Sequence, residues 1–142
     1  MTMQKTIKVD KQHVEKRVDD WKKRVSVLFS TIELWLMESD FYIKRGSKLK
    51  MYEELMSEFK IRATDIETAD IYKDNKIVLT IKPKGLWIVG ANGRIDLLST
   101  KGNYTLVDFA EQFEPPQWKL FNSDKKNGVT FTKQLFFQLL AK

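Results

Sequence analysis

Apolar residues recur at helical spacing in the first third of the chain. They follow one another at alternating steps of four and three residues, and they are Val14, Val18, Trp21, Val25, Leu28, Ile32 and Trp35. This seam predicts an amphipathic helix from about residue 11 to residue 38, with Asp10 as its N-cap. At 1.5 Å per residue the helix would be roughly 40 Å long.

The partner of this seam has two alternatives. In the first, Phe29, Leu34 and Leu36 widen the seam into a broad stripe that packs against the chain's own sheet. In the second, the first half of the helix is exposed and pairs with a helix of another protein or of a second copy. The binding residues would then be Val14, Val18, Trp21 and Val25.

A second amphipathic segment follows a break in the pattern between residues 40 and 47. Its apolar positions predict one face of a helix from about residue 48 to residue 60, with Gly46 in the turn before it. These positions are Leu49, Tyr52, Met56 and Phe59. Together the two segments predict a helical hairpin over residues 11–60.

Basic residues crowd around the predicted turn of this hairpin. They are Lys44, Arg45, Lys48 and Lys50. Clustered cations of this kind can bind the phosphates of a nucleic acid, which is one alternative. The other is a solvated loop, because acidic residues follow closely in the sequence.

The middle of the chain, from residue 71 to residue 109, alternates β-forming runs with short polar turns. Hairpin turns have this chemistry. The predicted turns lie at residues 74–76, 90–93 and 99–103, and the predicted strands at about 67–73, 77–82, 86–90, 94–98 and 104–108. Pro83 would end the second strand, because proline cannot donate a hydrogen bond within a central ladder.

The last part of the chain predicts another hairpin and a closing helix. Residues 118–121 and 129–132 have strand character, and residues 133–141 have helical spacing. The expected fold class is therefore α+β, with a helical hairpin, an antiparallel sheet of about five to seven strands over residues 67–132 and a C-terminal helix. A length of 142 residues predicts a single domain over residues 1–142.

Composition narrows the classes of function. The chain has no cysteine, which excludes disulfides and thiolate metal sites. No signal peptide and no membrane-spanning run are recognisable, so we expect a cytoplasmic protein without a membrane partner. The formal charge of +6 suits an acidic partner protein or a nucleic acid, but it is spread over both halves of the chain, which favours a mixed-charge surface.

Two aspartates in the hairpin over residues 94–108 are the candidate chemical site. If this hairpin closes symmetrically about residue 101, Arg94 lies opposite Asp108, and Asp96 lies diagonal to Asp108 on the same face. Two carboxylates placed in this way can share a divalent cation. The alternative is a cross-strand ion pair between Arg94 and Asp108, with Asp96 in solvent.

The same hairpin resembles part of a nuclease family. The runs GRIDLL at residues 93–98 and YTLVDF at residues 104–109 resemble the central hairpin of the PD-(D/E)xK nuclease core, in particular its RecB-like branch. In that core an aspartate ends one strand, and an acidic residue followed two positions later by lysine lies on the next. The resemblance covers about 17 residues of the chain.

This resemblance implies a set of metal ligands. Asp96 and Asp108 would match the two carboxylates that bind Mg²⁺ or Mn²⁺, and Glu54 or Glu58 would stand for a ligand from a preceding helix. Ala110 departs from the pattern, because it stands where the family has its catalytic lysine. The activity implied is therefore that of a degenerate, metal-dependent nuclease.

Other catalytic constellations are missing from the sequence. We therefore expect a non-catalytic interaction or regulatory domain, such as a subunit, an immunity-type inhibitor or a homodimer. It would dock a partner protein through the long helix or through a sheet face that holds Arg94, Tyr104 and Asp108. The alternative is a protein that acts on nucleic acid, either as the degenerate nuclease or as a phosphate-backbone binder that uses the four basic residues named above.

Overall fold

The computed structural model describes residues 11–51, 54–85, 91–111, 113–122 and 128–141. Its elements are α1 (Lys11–Leu36), β1 (Tyr42–Met51), α2 (Glu54–Glu58), β2 (Thr64–Lys73), β3 (Lys76–Gly85), β4 (Gly93–Ser99), β5 (Gly102–Asp108), β6 (Trp118–Asn122), β7 (Val129–Thr130) and α3 (Lys133–Ala141). Within these residues the strands form one sheet in the order of the chain, and each adjacent pair is antiparallel. The predicted α+β class is confirmed.

Most predicted elements are present close to their predicted positions. The long helix, the strands of the meander and the closing helix all appear with shifts of a few residues at their ends. Thr132 begins α3 as its N-cap, because its hydroxyl oxygen accepts a hydrogen bond from the Leu135 amide at 3.2 Å. The predicted strand at residues 86–90 lies outside the described residues.

The seam of α1 packs against the chain's own sheet. Val14, Val18, Trp21 and Val25 are each at most 5% exposed and share one hydrophobic core with strand residues such as Ile95. Phe29 and Leu36 widen the stripe as predicted, whereas Leu34 is 67% exposed. The first alternative is therefore correct, and docking of another helix on these four residues is wrong, because the sheet already covers them.

The predicted second helix is wrong over its first part. Residues 42–51 form the edge strand β1, and of the described residues between 48 and 60 only Glu54–Glu58 are helical. Lys48 and Lys50 are exposed and alternate with the more buried Leu49 and Met51, which is the two-residue period of a strand. The apolar residues have helical spacing only by coincidence, because the first of them lies in β1 and Met56 lies in α2. The helical hairpin is therefore absent.

Gly46 has a different role from the one predicted. It lies in a β-bulge between Arg45 and Ser47, where the pairing of β1 with β2 shifts register. Its φ of +109° is a conformation that L side chains rarely adopt. The glycine therefore bends a strand and does not end a helix.

Pro83 does not end its strand, since β3 continues to Gly85. Pro83 pairs with Ile95 of β4, and the register shifts immediately after it. The described pairs between β2 and β3 run from Lys73 and Lys76 at their turn to Ala69 and Ile81. Pro83 lies beyond the last of these pairs, so it has a partner strand on one side only. A proline is tolerated at such a place because a strand with a partner on one side only needs fewer ladder hydrogen bonds from its N–H groups.

The turn between β4 and β5 is shorter than the predicted turn over residues 99–103. Ser99 pairs with Gly102, so the loop consists of Thr100 and Lys101 alone. The Ser99 hydroxyl donates to the Gly102 carbonyl at 2.7 Å and accepts from the Lys101 amide at 3.2 Å. These bonds close the short loop. The pairing therefore differs by one residue from the predicted one, and every side chain of β5 lies opposite a different neighbour.

All three helices contribute to one core on the same side of the sheet. Met56 of α2 and Phe136 of α3 join the α1 seam and are fully buried. Phe136 packs against Trp35, with ring centroids 5.7 Å apart. The helices thus cover the side of the sheet that we call the core face, and we call the other side the open face.

We expect Val25→Glu to abolish cooperative folding, because it places a carboxylate at a position with no exposed surface. Leu34→Glu, on the exposed side of the same helix, should change the free energy of unfolding by only about 0.5 kcal/mol or less. Urea denaturation followed by circular dichroism measures both. A folded Val25→Glu protein with a changed oligomeric state would instead indicate that the seam is an intermolecular contact.

Candidate functional site

A buried ion pair joins the middle of α1 to the end of β5. The Arg24 Nη1 atom lies 2.7 Å from Asp108 Oδ2, and the two side chains are 4% and 0% exposed. Arg24 Nε also donates to Asp20 Oδ2 at 2.6 Å, and Nη2 donates to the backbone carbonyl of Glu114. The guanidinium therefore connects the helix, the sheet and the loop that follows β5.

The Asp108 carboxylate is fully occupied by these and other bonds. Its Oδ1 atom accepts hydrogen bonds from the Ala110 amide at 3.0 Å and the Gln117 amide at 2.9 Å. Its Oδ2 atom accepts from Arg24 and, at 3.5 Å, from the side-chain amide of Asn92. A carboxylate has about four lone-pair positions. Asp108 thus holds the loop over residues 109–117 closed and has no position left for a metal ion.

Arg17 and Asn92 extend this buried polar cluster. Arg17 Nη2 donates to the Asn92 carbonyl at 3.4 Å, and the Asn92 side-chain amide donates to the Ala110 carbonyl at 2.7 Å. Burial lowers the pKa of Arg17, with nearby Asp20 opposing this effect and Arg24 adding to it. For a base, a lowered pKa means that the fold disfavours the charged form. The burial of Arg17 as a cation is therefore unfavourable relative to its exposure in the unfolded chain.

The structure does not bring Asp96 and Asp108 together. The observed register places Asp108 opposite Gly93 and Asp96 opposite Thr105. Asp108 then shares the core face with Leu106, while Asp96 lies on the open face. The predicted pair of carboxylates on one face is wrong, because a shift of one residue in a strand moves each side chain to the other face.

The other residues of the predicted site do not gather around Asp108. Arg94 lies on the open face, and its Nε atom contacts Asp96 Oδ1 at 3.1 Å, so the predicted ion pair between Arg94 and Asp108 is wrong. Tyr104 lies opposite Leu97 and packs half-buried against the core, not beside Arg94. Glu58 is exposed in α2. The side chain of Glu54 lies outside the described residues.

The four basic residues do not form one free cluster. Arg45 points to α1 and Glu67, contacting Glu67 through two nitrogens at 2.8 and 3.1 Å and Glu33 at 3.1 Å. The hydrogen bond to Glu67 raises the pKa of Arg45. Arg45 is therefore a structural cation that fastens the edge strand to the helix.

The three lysines of β1 have different surroundings. The Lys44 ammonium lies 4.8 Å from the centre of the Tyr72 ring, and Lys50 Nζ lies 3.2 Å from Asp65 in an exposed pair. Lys48 is exposed. The basic residues are thus spread along an edge strand, because the turn that would have gathered them does not exist.

The open face is the part of the fold that the described helices leave uncovered. Register and burial place the following side chains on it: Tyr42, Lys44, Asp70, Tyr72, Thr80, Lys82, Arg94, Asp96, Leu98, Asn103, Thr105, Val107, Lys119 and Phe121. Its middle, on β4 and β5, combines Leu98, Thr105 and Val107 with the ion pair of Arg94 and Asp96, which lie opposite Val107 and Thr105. This face is the candidate functional site.

Sequence reasoning missed the buried cluster, although a signal was present. Arg17 and Arg24 are seven residues apart and lie beside the apolar seam of α1, directly before Val18 and Val25. Positions next to a seam lie at its border, so this spacing marks the two arginines as candidates for burial. Glu15 and Lys22 border the same seam on its other side and are exposed, so the spacing alone does not decide which charges are buried.

No protein-family model matches this chain, and neither the curated proteins nor the solved structures include a significant match. Among the described residues, no three histidine, aspartate or glutamate side chains lie close enough together to hold a metal ion. None of the described helices combines the length and the apolar character required to cross a membrane. The function must therefore be argued from the surfaces themselves.

We expect Asp108→Asn to lower the free energy of unfolding by about 3 to 5 kcal/mol, because it leaves Arg24 buried beside a neutral group. Asp96→Asn is the matched control, with an expected loss of about 1 kcal/mol or less, since its partner Arg94 is half exposed. Urea denaturation at neutral pH gives both values. Equal losses in the two variants would contradict the assignment of Asp108 as the central buried anion.

We expect Arg24→Met to be much more harmful than Arg17→Met. Loss of Arg24 leaves Asp108 without its cation and should cost about 3 to 5 kcal/mol. Arg17→Met removes a cation that burial disfavours. The free energy of unfolding should therefore fall by about 1 kcal/mol at most, or rise. Urea denaturation gives the free energy of unfolding of both variants. A larger loss from Arg17→Met than from Arg24→Met would contradict the assignment of Arg24 as the cation that Asp108 requires.

Proposed function

We propose that this chain is a non-catalytic binding domain that docks an acidic partner protein on the open face of its sheet. The observation that carries this proposal is the layout of that face, in which the exposed Lys82 and Lys119 lie on either side of Leu98, Thr105, Val107 and the Arg94–Asp96 ion pair. Protein interfaces commonly have a less charged centre and a polar rim. We also propose a cytoplasmic location, which the lack of cysteine supports.

The charges on the open face favour an acidic partner. Lys82 and Lys119 are exposed on β3 and β6, on either side of the β4 and β5 residues of the face. The two acidic residues of the face already have partners, since Asp70 accepts from the Thr80 hydroxyl at 2.8 Å and Asp96 accepts from Arg94. Complementary charge would steer a partner to the face and set its orientation.

The aromatic residues of this face favour a protein over an unpaired nucleic acid. Base stacking needs ring faces that are open to the ligand. The Tyr42 and Tyr72 rings are stacked on each other at 5.3 Å, and the Lys44 ammonium lies over Tyr72 as well. The Phe109 and Phe121 rings likewise pack against each other, with centroids 6.0 Å apart. Tyr42 and Phe109 remain 39% and 42% exposed, but the two pairs of rings lie toward opposite edges of the sheet and so do not form a continuous row for successive bases.

A homodimer through this face is less well supported than a different partner. Two copies placed face to face would bring the same exposed lysines together, and the acidic residues of the face already have partners within the chain. The nuclease alternative has no observation in its favour, since its two carboxylates lie on opposite faces of the sheet.

The proposal can be tested by site-specific photocrosslinking in cells. With benzoylphenylalanine at position 105, in the centre of the open face, we expect a discrete adduct with one protein, and none with the same probe at position 23 on exposed α1. K82E/R94E/K119E should abolish the adduct, because it reverses the charges that flank the probe. Mass spectrometry of the adduct should locate the crosslink in an acidic segment of the partner.

The matched control is K11E/K16E/K23E, which makes the same change in net charge on the exposed side of α1 and should keep the adduct. A crosslink to RNA or DNA, or to a second copy of the chain, would contradict the proposal. An adduct that survives reversal of the open-face charges would contradict it equally.

A further inference from the structure

A second surface, distinct from the open face, is a cleft between the end of α3 and two hairpin turns. It has a volume of about 810 Å³, and its apolar wall includes Phe137, Leu139 and Leu140 of α3 together with Phe41. Ligand sites for small molecules have volumes of about 300 to 1,000 Å³. The cleft is therefore of a size to hold the hydrocarbon part of a small ligand.

The charged residues that line this cleft are all basic. Lys73 and Lys76 come from the turn between β2 and β3, and Lys101 comes from the turn between β4 and β5. Within the described residues, none of the three makes an ion pair, and no acidic side chain lines the cleft. Three uncompensated ammonium groups next to an apolar wall favour an anion that carries a hydrocarbon chain.

Lys73 connects the basic side of the cleft to its apolar wall. Its Nζ atom lies 5.2 Å from the centre of the Phe41 ring, and Phe41 also packs against Phe137, with ring centroids 6.3 Å apart. A positive charge therefore lies next to the apolar wall. A ligand that lies along the wall would bring an anionic end group within reach of this lysine.

We propose that this cleft binds a fatty acid, with the acyl chain against Phe137, Leu139 and Leu140 and the carboxylate among Lys73, Lys76 and Lys101. The cleft is concave, which suits a single chain better than the flat surface of a bilayer. Charge-assisted hydrogen bonds from ammonium groups to a carboxylate supply the selectivity for the anionic end. This site does not depend on the open face, so either proposal can fail without the other.

The experiment is calorimetric titration of the full chain with dodecanoate below its critical micelle concentration. We expect binding of one dodecanoate per chain. Dodecanol, which has the tail without the charge, should bind about tenfold more weakly, because one charge-assisted contact accounts for about that factor. Inorganic sulfate, which has charge without a tail, should show no measurable binding.

The variant K73Q/K76Q/K101Q should weaken dodecanoate binding about tenfold or more and leave dodecanol binding unchanged. All three lysines are exposed on turns or strand ends, so the fold should not depend on them. The control K11Q/K16Q/K23Q removes the same charge from exposed α1 and should bind dodecanoate like the unaltered chain. In nuclear magnetic resonance spectra, dodecanoate should shift the amide signals of residues 99–101 and 137–141.

Several outcomes would overturn the proposal. Absence of dodecanoate binding would leave the lysines as partners of the α3 C-terminus, whose partial negative charge they can complement. Equal weakening by the two triple variants would indicate nonspecific attraction to a basic protein. Binding to phosphatidylglycerol vesicles that the cleft variant abolishes, without binding of monomeric dodecanoate, would identify a membrane surface as the partner.

Discussion

The two-residue turn at Thr100 and Lys101 sets the pairing of β4 with β5, and the centre of the molecule depends on that pairing. The Ser99 hydroxyl closes the turn through two short hydrogen bonds. With one more residue in the loop, Asp108 would move to the open face, because side chains alternate between the two faces of a strand. A local polar contact thus determines which charges are buried.

The register then makes the Arg24–Asp108 ion pair possible. Asp108 reaches the core face at the place where α1 crosses the sheet, and Arg24 of the helix meets it at 2.7 Å. The same carboxylate accepts two backbone amides from the loop over residues 109–117, so helix, strand and loop share one anion. A buried pair of this kind is weak evidence for stability in itself, but its separation is costly. It therefore favours a single position of the helix over the sheet.

This arrangement decides which surfaces remain for function. The seam of α1 is covered by the sheet, and the carboxylates that a metal site would need are divided between two faces. The surfaces left are the open face, where lysines lie on either side of a middle region that holds the Arg94–Asp96 ion pair, and the lysine-lined cleft beside α3. Both have binding character, and neither brings together a general acid, a base and a nucleophile among the described residues.

Periodicity in the sequence was sufficient to locate α1, the meander and α3, because each of these has an uninterrupted apolar period and recognisable turn residues. It failed at β1, where Leu49, Met56 and Phe59 have helical spacing although Leu49 lies in β1, Met56 in α2 and Phe59 in the turn after α2. The spacing of apolar residues does not show where one element ends and the next begins unless a turn residue lies between them. Gly46 was interpreted as such a turn residue, but a glycine with positive φ occurs in β-bulges as well as at helix ends.

By itself the sequence determined the class of fold, the places of α1, the meander strands and α3, and the apolar seam of α1. Only the tertiary structure decided the face on which Asp96 and Asp108 lie, the partner of Arg24 and the distribution of the lysines over the surface. The physical reason is that hydrophobic period is a property of each segment alone, whereas strand register depends on one residue in a loop and on the side chains that meet across the core.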